Sequence, residues 1–236
     1  MCITMSQDEH TLKRFDTELK AIRARIQEMG GLVEMQFEQA MQALRKSNAN
    51  NARQIIDQDQ RVNLLEVEID ALCCNAIARY KPTASDLRLI VTSTKIIVHL
   101  ERIGDEVKKI ANMTERRAQQ YQLAIPRFTE INHATKLTQS MLKDVLDSYA
   151  RLDPIAARRL IDRNDLVKEE FDCILRHLIE FMTENPHTIS TSLDFFLITK
   201  AIERISDHVK FIAELVLKTS NRYYDIQYRQ VQEFEI

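Results

Sequence analysis

Glu101-Arg102-Ile103-Gly104-Asp105 returns as Glu203-Arg204-Ile205-Ser206-Asp207, 102 residues further on. Working forward at the same offset, Val107 meets Val209, Lys108 meets Lys210, and Ile110-Ala111 meets Ile212-Ala213. Working back, Asp70 meets Asp172 and Ile77 meets Ile179. One offset held across two segments and the connection between them marks an internal duplication. The 236-residue chain therefore divides into two similar units, residues 1–122 and 123–236, with a short polar and aromatic tail from Tyr223 to Ile236. The boundary falls near Leu123-Ala124-Ile125.

Each unit is helical. In the first segment Leu12, Phe15, Leu19, Ile22, Ile26, Met29, Val33, Phe37, Ala40 and Leu44 follow steps of three and four, the period of one helix face. Gly30-Gly31 interrupts that stripe and marks a bend or a close contact. The polar run Ser47-Asn48-Ala49-Asn50-Asn51 breaks it. Residues 52–80 form a second helix. Thr83-Ala84-Ser85-Asp86 reads as a capping box opening a third, which runs to about residue 121. Residues 127–152, 154–183 and 188–222 supply three more. The four prolines sit at breaks between these segments, and Asp153-Pro154 reads as an N-cap followed by proline at the first helical position. Only three glycines occur in the whole chain, and no sustained period-two run or Asn-Gly hairpin signal is present. The expected fold is all-α: two tandem, pseudo-symmetric three-helix bundles.

Composition narrows the function. Net charge is −2 with no basic tail or run, which turns the reading away from nucleic acid. No apolar stretch approaches the roughly 20 residues of a membrane span; Ile96-Ile97-Val98 sits between Lys95 and His99 as a buried helix face. Met1–His10 lacks the pattern of a signal peptide. Cys2, Cys73, Cys74 and Cys173 form no Cys-x-x-Cys pair and read as reduced thiols, at least two of them packed as small apolar residues. The expected location is the cytoplasm. No Gly-rich phosphate loop, nucleophile elbow or Cys/His pair appears, so no enzyme is expected.

Glu101 and Asp105 are four apart and share a helix face, as do Glu66 and Asp70 on the preceding helix. An antiparallel turn about Pro82 brings both pairs to one level, and Asp59 and Asn63 extend the stripe. Two readings stand side by side. Acidic pairs of this spacing are ordinary solvated surface, with Arg102 and Arg204 available as salt-bridge partners. Alternatively, like charges that repel on one face hold a hard cation, iron or manganese between them. The second half departs from the pattern, because Lys168 stands where Glu66 predicts a carboxylate; Asp165, Glu169 and Glu170 lie nearby, off register. Glu130-x-x-His133 matches half of a ferritin-like di-iron site, and no second copy occurs. His99, His177 and His187 read as ordinary residues, and His208 as possible support for Asp207.

These residues resemble the PhoU family of phosphate-transport accessory proteins. The resemblance rests on Pro82-Thr83-Ala84-Ser85-Asp86-Leu87-Arg88, Leu100–Asp105, Ile202–His208, Met29-Gly30-Gly31-Leu32-Val33 and Val62–Asp70, and covers about Phe15 to Asn221. It implies two three-helix bundles, a homodimer, and metal clusters on Glu/Asp-x-x-x-Asp motifs. Carried over, those are Glu66, Asp70, Glu101 and Asp105, then Asp172, Glu203 and Asp207; Asp59 and Asn63, by spacing, and His208, beside Asp207, are candidate supporting ligands. The metal would be iron, zinc, manganese or magnesium. An Asn common in the family is replaced here by Lys109 and Phe211. The resemblance further implies a negative regulator of the phosphate-starvation response. Its partners would be the ATPase of the phosphate transporter and a membrane sensor histidine kinase, the membrane being reached only through them. The competing expectations are a ferritin-like metal-dependent enzyme or metal-storage bundle, and a purely structural coiled coil.

Overall fold

In the computed structural model, residues 4–118 and 128–219 are described, with side chains from Lys13 onward except Ala84. The six helices are α1 (Thr4–Lys46), α2 (Ala49–Tyr80), α3 (Ala84–Ala118), α4 (Phe128–Arg151), α5 (Pro154–Glu184) and α6 (Ile189–Thr219), with one 3-10 turn at Pro186–Thr188. No strand occurs among the described residues. The break at Ile125-Pro126, the unit boundary and the C-terminal tail lie outside them.

The apolar stripe of α1 explains the first bundle. Phe15, Ile22, Ile26, Met29, Val33, Phe37, Ala40 and Leu44 are all buried, and Leu19 packs against them half-exposed. Each fully buried Val, Leu, Ile, Phe or Met side chain contributes about 1.5–3 kcal/mol when removed from water. α1, α2 and α3 close round this core, and α4, α5 and α6 repeat the arrangement. The two bundles join where α3 lies antiparallel to α6, with Thr219 donating to Thr92 (2.8 Å) at one end and Arg117 stacked 4.0 Å over the Phe195 ring at the other.

Helix ends follow local chemistry. α2 starts three residues earlier than the polar run suggests, at Ala49 instead of residue 52. The reason is Asn48, whose Oδ1 accepts from the backbone N–H of Asn50 (3.1 Å) and Asn51 (3.2 Å) and caps the helix within the turn. Asp153 caps α5 in the same way through Ile155 (2.9 Å) and Ala156 (3.1 Å). Helices α1, α2 and α4 are each followed by a left-handed residue other than glycine, Ser47, Lys81 and Leu152.

Gly30 does not bend α1, which continues unbroken; it is a close contact. A Cβ there would lie 2.8 Å from Leu146 Cδ1 and closer still to Cδ2, so α1 and α4 meet at this point. Gln27 Nε2 donates to the Leu146 carbonyl (3.0 Å) beside it. Gly31 faces open space. Ile96 and Ile97 are buried as expected, but Val98 is exposed. Of the described thiols only Cys73 is fully buried; Cys173 is half-buried, Cys74 is exposed, and Cys2 lies outside the described residues.

Candidate functional site

The α2–α3 turn at Pro82 sets these helices antiparallel and brings the acidic pairs to one level. Burial, then Asp70 and Asp105, raise the Glu66 carboxyl above its ordinary value, against the lowering effect of Arg102. Burial, then Asp105, Glu66 and Asp59, likewise raise Glu101. Five carboxylates from two helices thus share one field, as the spacing predicts. Gly104 stands at the same level, where an added Cβ would meet Val62 at 3.5 Å and Asp59 at 3.7 Å.

The cation that forms an ion pair with this cluster is Lys108, while Arg102 acts on it at longer range. Lys108 Nζ lies 2.7 Å from Asp59 Oδ2, and Asp59 is almost fully buried. Asn63 is exposed on the outer side of α2. Arg102 makes no ion pair among those described and acts on Glu66 and Glu101 only through its longer-range charge. Arg204 reaches across to Glu106 Oε1 (3.6 Å) on α3, away from its neighbours Glu203 and Asp207.

The second half is arranged differently. Lys168 Nζ lies 3.9 Å from Asp207 Oδ1, so an ammonium occupies the place of a metal-facing carboxylate. Glu203 is buried and bound to Lys200 at 2.5 Å. Asp172 is exposed. Lys210, the repeat counterpart of Lys108, has its Nζ 2.8 Å from Asp165 Oδ1, a partner off register because Asp59 meets Ile161. His208 turns away from Asp207: its Nδ1 sits 3.2 Å from His99 Nδ1 across the α3–α6 seam, and His99 stacks on Phe211. Burial, then His208 and Arg102, lower His99 to about 4. Lys109 bonds Glu106 Oε1 at 2.7 Å, leaving the buried Glu106 Oε2 without a partner.

For a cation, the two halves differ in fitness. The first offers Glu66, Asp70, Glu101 and Asp105, an all-oxygen set crowded enough to raise two of its members. The second does not fit, since Lys168 and Lys200 already neutralise it. Among the described residues no three His, Cys, Asp or Glu side chains close on one point as metal ligands.

Two features were hidden from the sequence. The His99–His208 pair joins residues 109 apart, off the 102-residue register, so the repeat gave no cue. The lysines did leave a signal, because Asp105-x-x-Lys108 recurs as Asp207-x-x-Lys210.

The model of the PhoU domain matches this chain twice, over residues 26–114 and 131–216. The chain belongs to the PhoU family. A phosphate-specific transport system accessory protein PhoU homolog from Burkholderia sp is 39% identical over 211 residues, covering 89% of this chain and 90% of the relative. The accessory protein PhoU of Escherichia coli (strain K12) is 36% identical over 214 residues, covering 90% and 88%. The crystal structure of PhoU from Pseudomonas aeruginosa superposes with a TM-score of 0.83 at 36% identity, over 87% of this chain and 98% of that one. The phosphate transport system regulatory protein PhoU from Streptococcus pneumoniae shares the fold, with a TM-score of 0.81 at 24% identity over 88% and 97%. Both repeats of the PhoU architecture are present here. No helix among the described residues is long and apolar enough to cross a membrane.

Proposed function

We propose that this chain is a regulatory accessory protein of phosphate transport that acts as a cytoplasmic adaptor. It links the ATPase of the phosphate transporter to the sensor histidine kinase and holds the starvation response off when phosphate is plentiful. The observation that carries this reading is the double family match, together with relatives named as phosphate-specific transport system accessory proteins that align over about nine-tenths of their length. The architecture suits it: two joined bundles of helices up to 43 residues long present extended faces to partner helices. As part of the same proposal the protein is a homodimer, and Glu66, Asp70, Glu101 and Asp105 hold a hard cation or iron that relieves their mutual repulsion.

The ferritin-like reading fits poorly. That chemistry needs Glu and His projecting into the bundle interior, whereas His133 is 65% exposed.

The test is direct binding of the purified chain to the ATPase subunit and to the cytoplasmic part of the kinase, by biolayer interferometry. Saturable binding to both supports the adaptor; binding to neither sinks it. Metal content of the wild type against the Glu101→Ala/Asp105→Ala variant tests the acidic site separately, and equal content in both removes the metal from the proposal.

A further inference from the structure

Glu130-x-x-His133 on α4 lacks a second copy in the sequence, but α5 supplies a counterpart in a different pattern. Glu170, Cys173 and His177 follow steps of three and four and lie on one side of α5. The helices run antiparallel, and the groups pair crosswise. His133 Nδ1 is 2.7 Å from Glu170 Oε1, and His177 Nδ1 is 3.3 Å from Glu130 Oε2. Cys173 Sγ lies beside the His177 ring, 3.8 Å from its Nε2 and 4.0 Å from its Nδ1.

A carboxylate only accepts, so in each pair the histidine Nδ1 carries the proton. In a neutral ring that leaves Nε2 as a lone-pair donor. A histidine whose Nδ1–H is held by a carboxylate is the arrangement that orients a ring towards a metal. Two such rings on facing helices, with a reduced thiol beside His177, form a nitrogen and sulfur donor set. That set prefers zinc-like ions over magnesium or calcium. We propose that the α4–α5 face of the second bundle binds one borderline transition-metal dication through His133, Cys173 and His177, with Glu130 and Glu170 orienting the two rings.

The competing reading is two surface His–carboxylate pairs, each worth at most about 1 kcal/mol. It accounts for the pairs and gives the thiol no part. The donors do not yet close on a common point. The three side chains have room to rotate, since His133 is 65% exposed and His177 and Cys173 are half-buried. The device is not part of the duplicated scaffold, because α2, the counterpart of α5, carries no histidine. It is also independent of the all-oxygen site on α2 and α3.

The probe is Co²⁺, added to the full chain after chelator treatment, in a Cys2→Ser/Cys74→Ser background so that Cys173 is the accessible thiol. The expected result is about one tetrahedral Co²⁺ per chain, with visible ligand-field bands and a near-ultraviolet thiolate-to-cobalt band. Cys173→Ser should abolish the near-ultraviolet band. Glu170→Gln should weaken binding about 10–100-fold, and His177→Ala by at least as much. Glu101→Ala/Asp105→Ala should leave the spectrum unchanged. Circular dichroism confirms that each variant keeps its helices. The proposal is overturned by the absence of a thiolate band, by its survival in Cys173→Ser, by unchanged affinity in His177→Ala, or by its loss in the acidic double variant.

Discussion

Replacing Lys108 by Met removes the ammonium bonded to Asp59, whose side chain is 4% exposed. The stranded carboxylate then faces the field of Glu101 and its neighbours. Breaking a fully buried ion pair costs about 3–5 kcal/mol; an exposed pair is worth about 0–1 kcal/mol. Lys108 is itself 37% exposed, so water screens part of its charge. The expected loss lies between the two limits, about 2 kcal/mol. In a chain of this size that lowers the melting temperature by about 4–8 °C. Duplication supplies the control. Lys210 occupies the same position in the second repeat, but its partner Asp165 is 66% exposed, so Lys210→Met should cost under about 1 kcal/mol. Urea unfolding at pH 7 with chelator present measures both. Adding Asp59→Asn to Lys108→Met should recover most of the loss, because the stranded charge is gone. Equal losses in the two single variants, or no recovery in the double, would refute the reasoning.

Other expectations follow from the same geometry. Glu66 and Glu101 have raised values, so the folded state holds their protons more tightly than the unfolded state, and their ionisation costs stability as pH rises through the raised values. Glu101→Gln in metal-free buffer should therefore gain a few tenths of a kcal/mol at pH 7, on the scale of about 0.2–0.5 kcal/mol per like-charged pair, and that gain should vanish below the ordinary glutamate range. His99 has the opposite sign: its lowered value, about 4, means that stability conferred by the neutral ring is present above the unfolded value of 6.5 and is lost as pH falls towards 4. His99→Leu should flatten that acid-side slope in a denaturation series from pH 7 to pH 4. Adjacent glycines should respond oppositely to alanine. Gly30→Ala should cost about 1–3 kcal/mol by overpacking against Leu146, while Gly31→Ala should gain up to about 1 kcal/mol of helix propensity, both read from urea midpoints. Lys81→Gly should stabilise by about 0.5–1 kcal/mol, since Lys81 sits at φ 48° with its side chain exposed.

The fold was legible because burial and period coincide. The α1 stripe from Phe15 to Leu44 named its own buried face, and the repeat of Glu101–Asp105 announced the second bundle. Helix starts were less legible: nothing in Ser47–Asn51 says which asparagine caps, and only the bonds to Asn48 Oδ1 settle it. The convergence of Glu66 with Glu101 followed from a turn and a count of residues on either side. The partners of those carboxylates did not, because a long flexible side chain chooses among several acids within reach. Arg204 takes Glu106 across the α3–α6 seam, and Lys108 takes Asp59 across α2. Contacts between the two bundles, such as His99 with His208, depend on how α3 crosses α6, and no local pattern records a crossing.

The central claim is that this chain restrains the phosphate-starvation response. Alkaline phosphatase activity in phosphate-rich medium tests it most directly, in the encoding cell with the gene deleted and then restored, where the sensor kinase is intact and no second copy exists. The account predicts high activity on deletion that falls when the wild-type gene returns. Activity that stays low on deletion would contradict it.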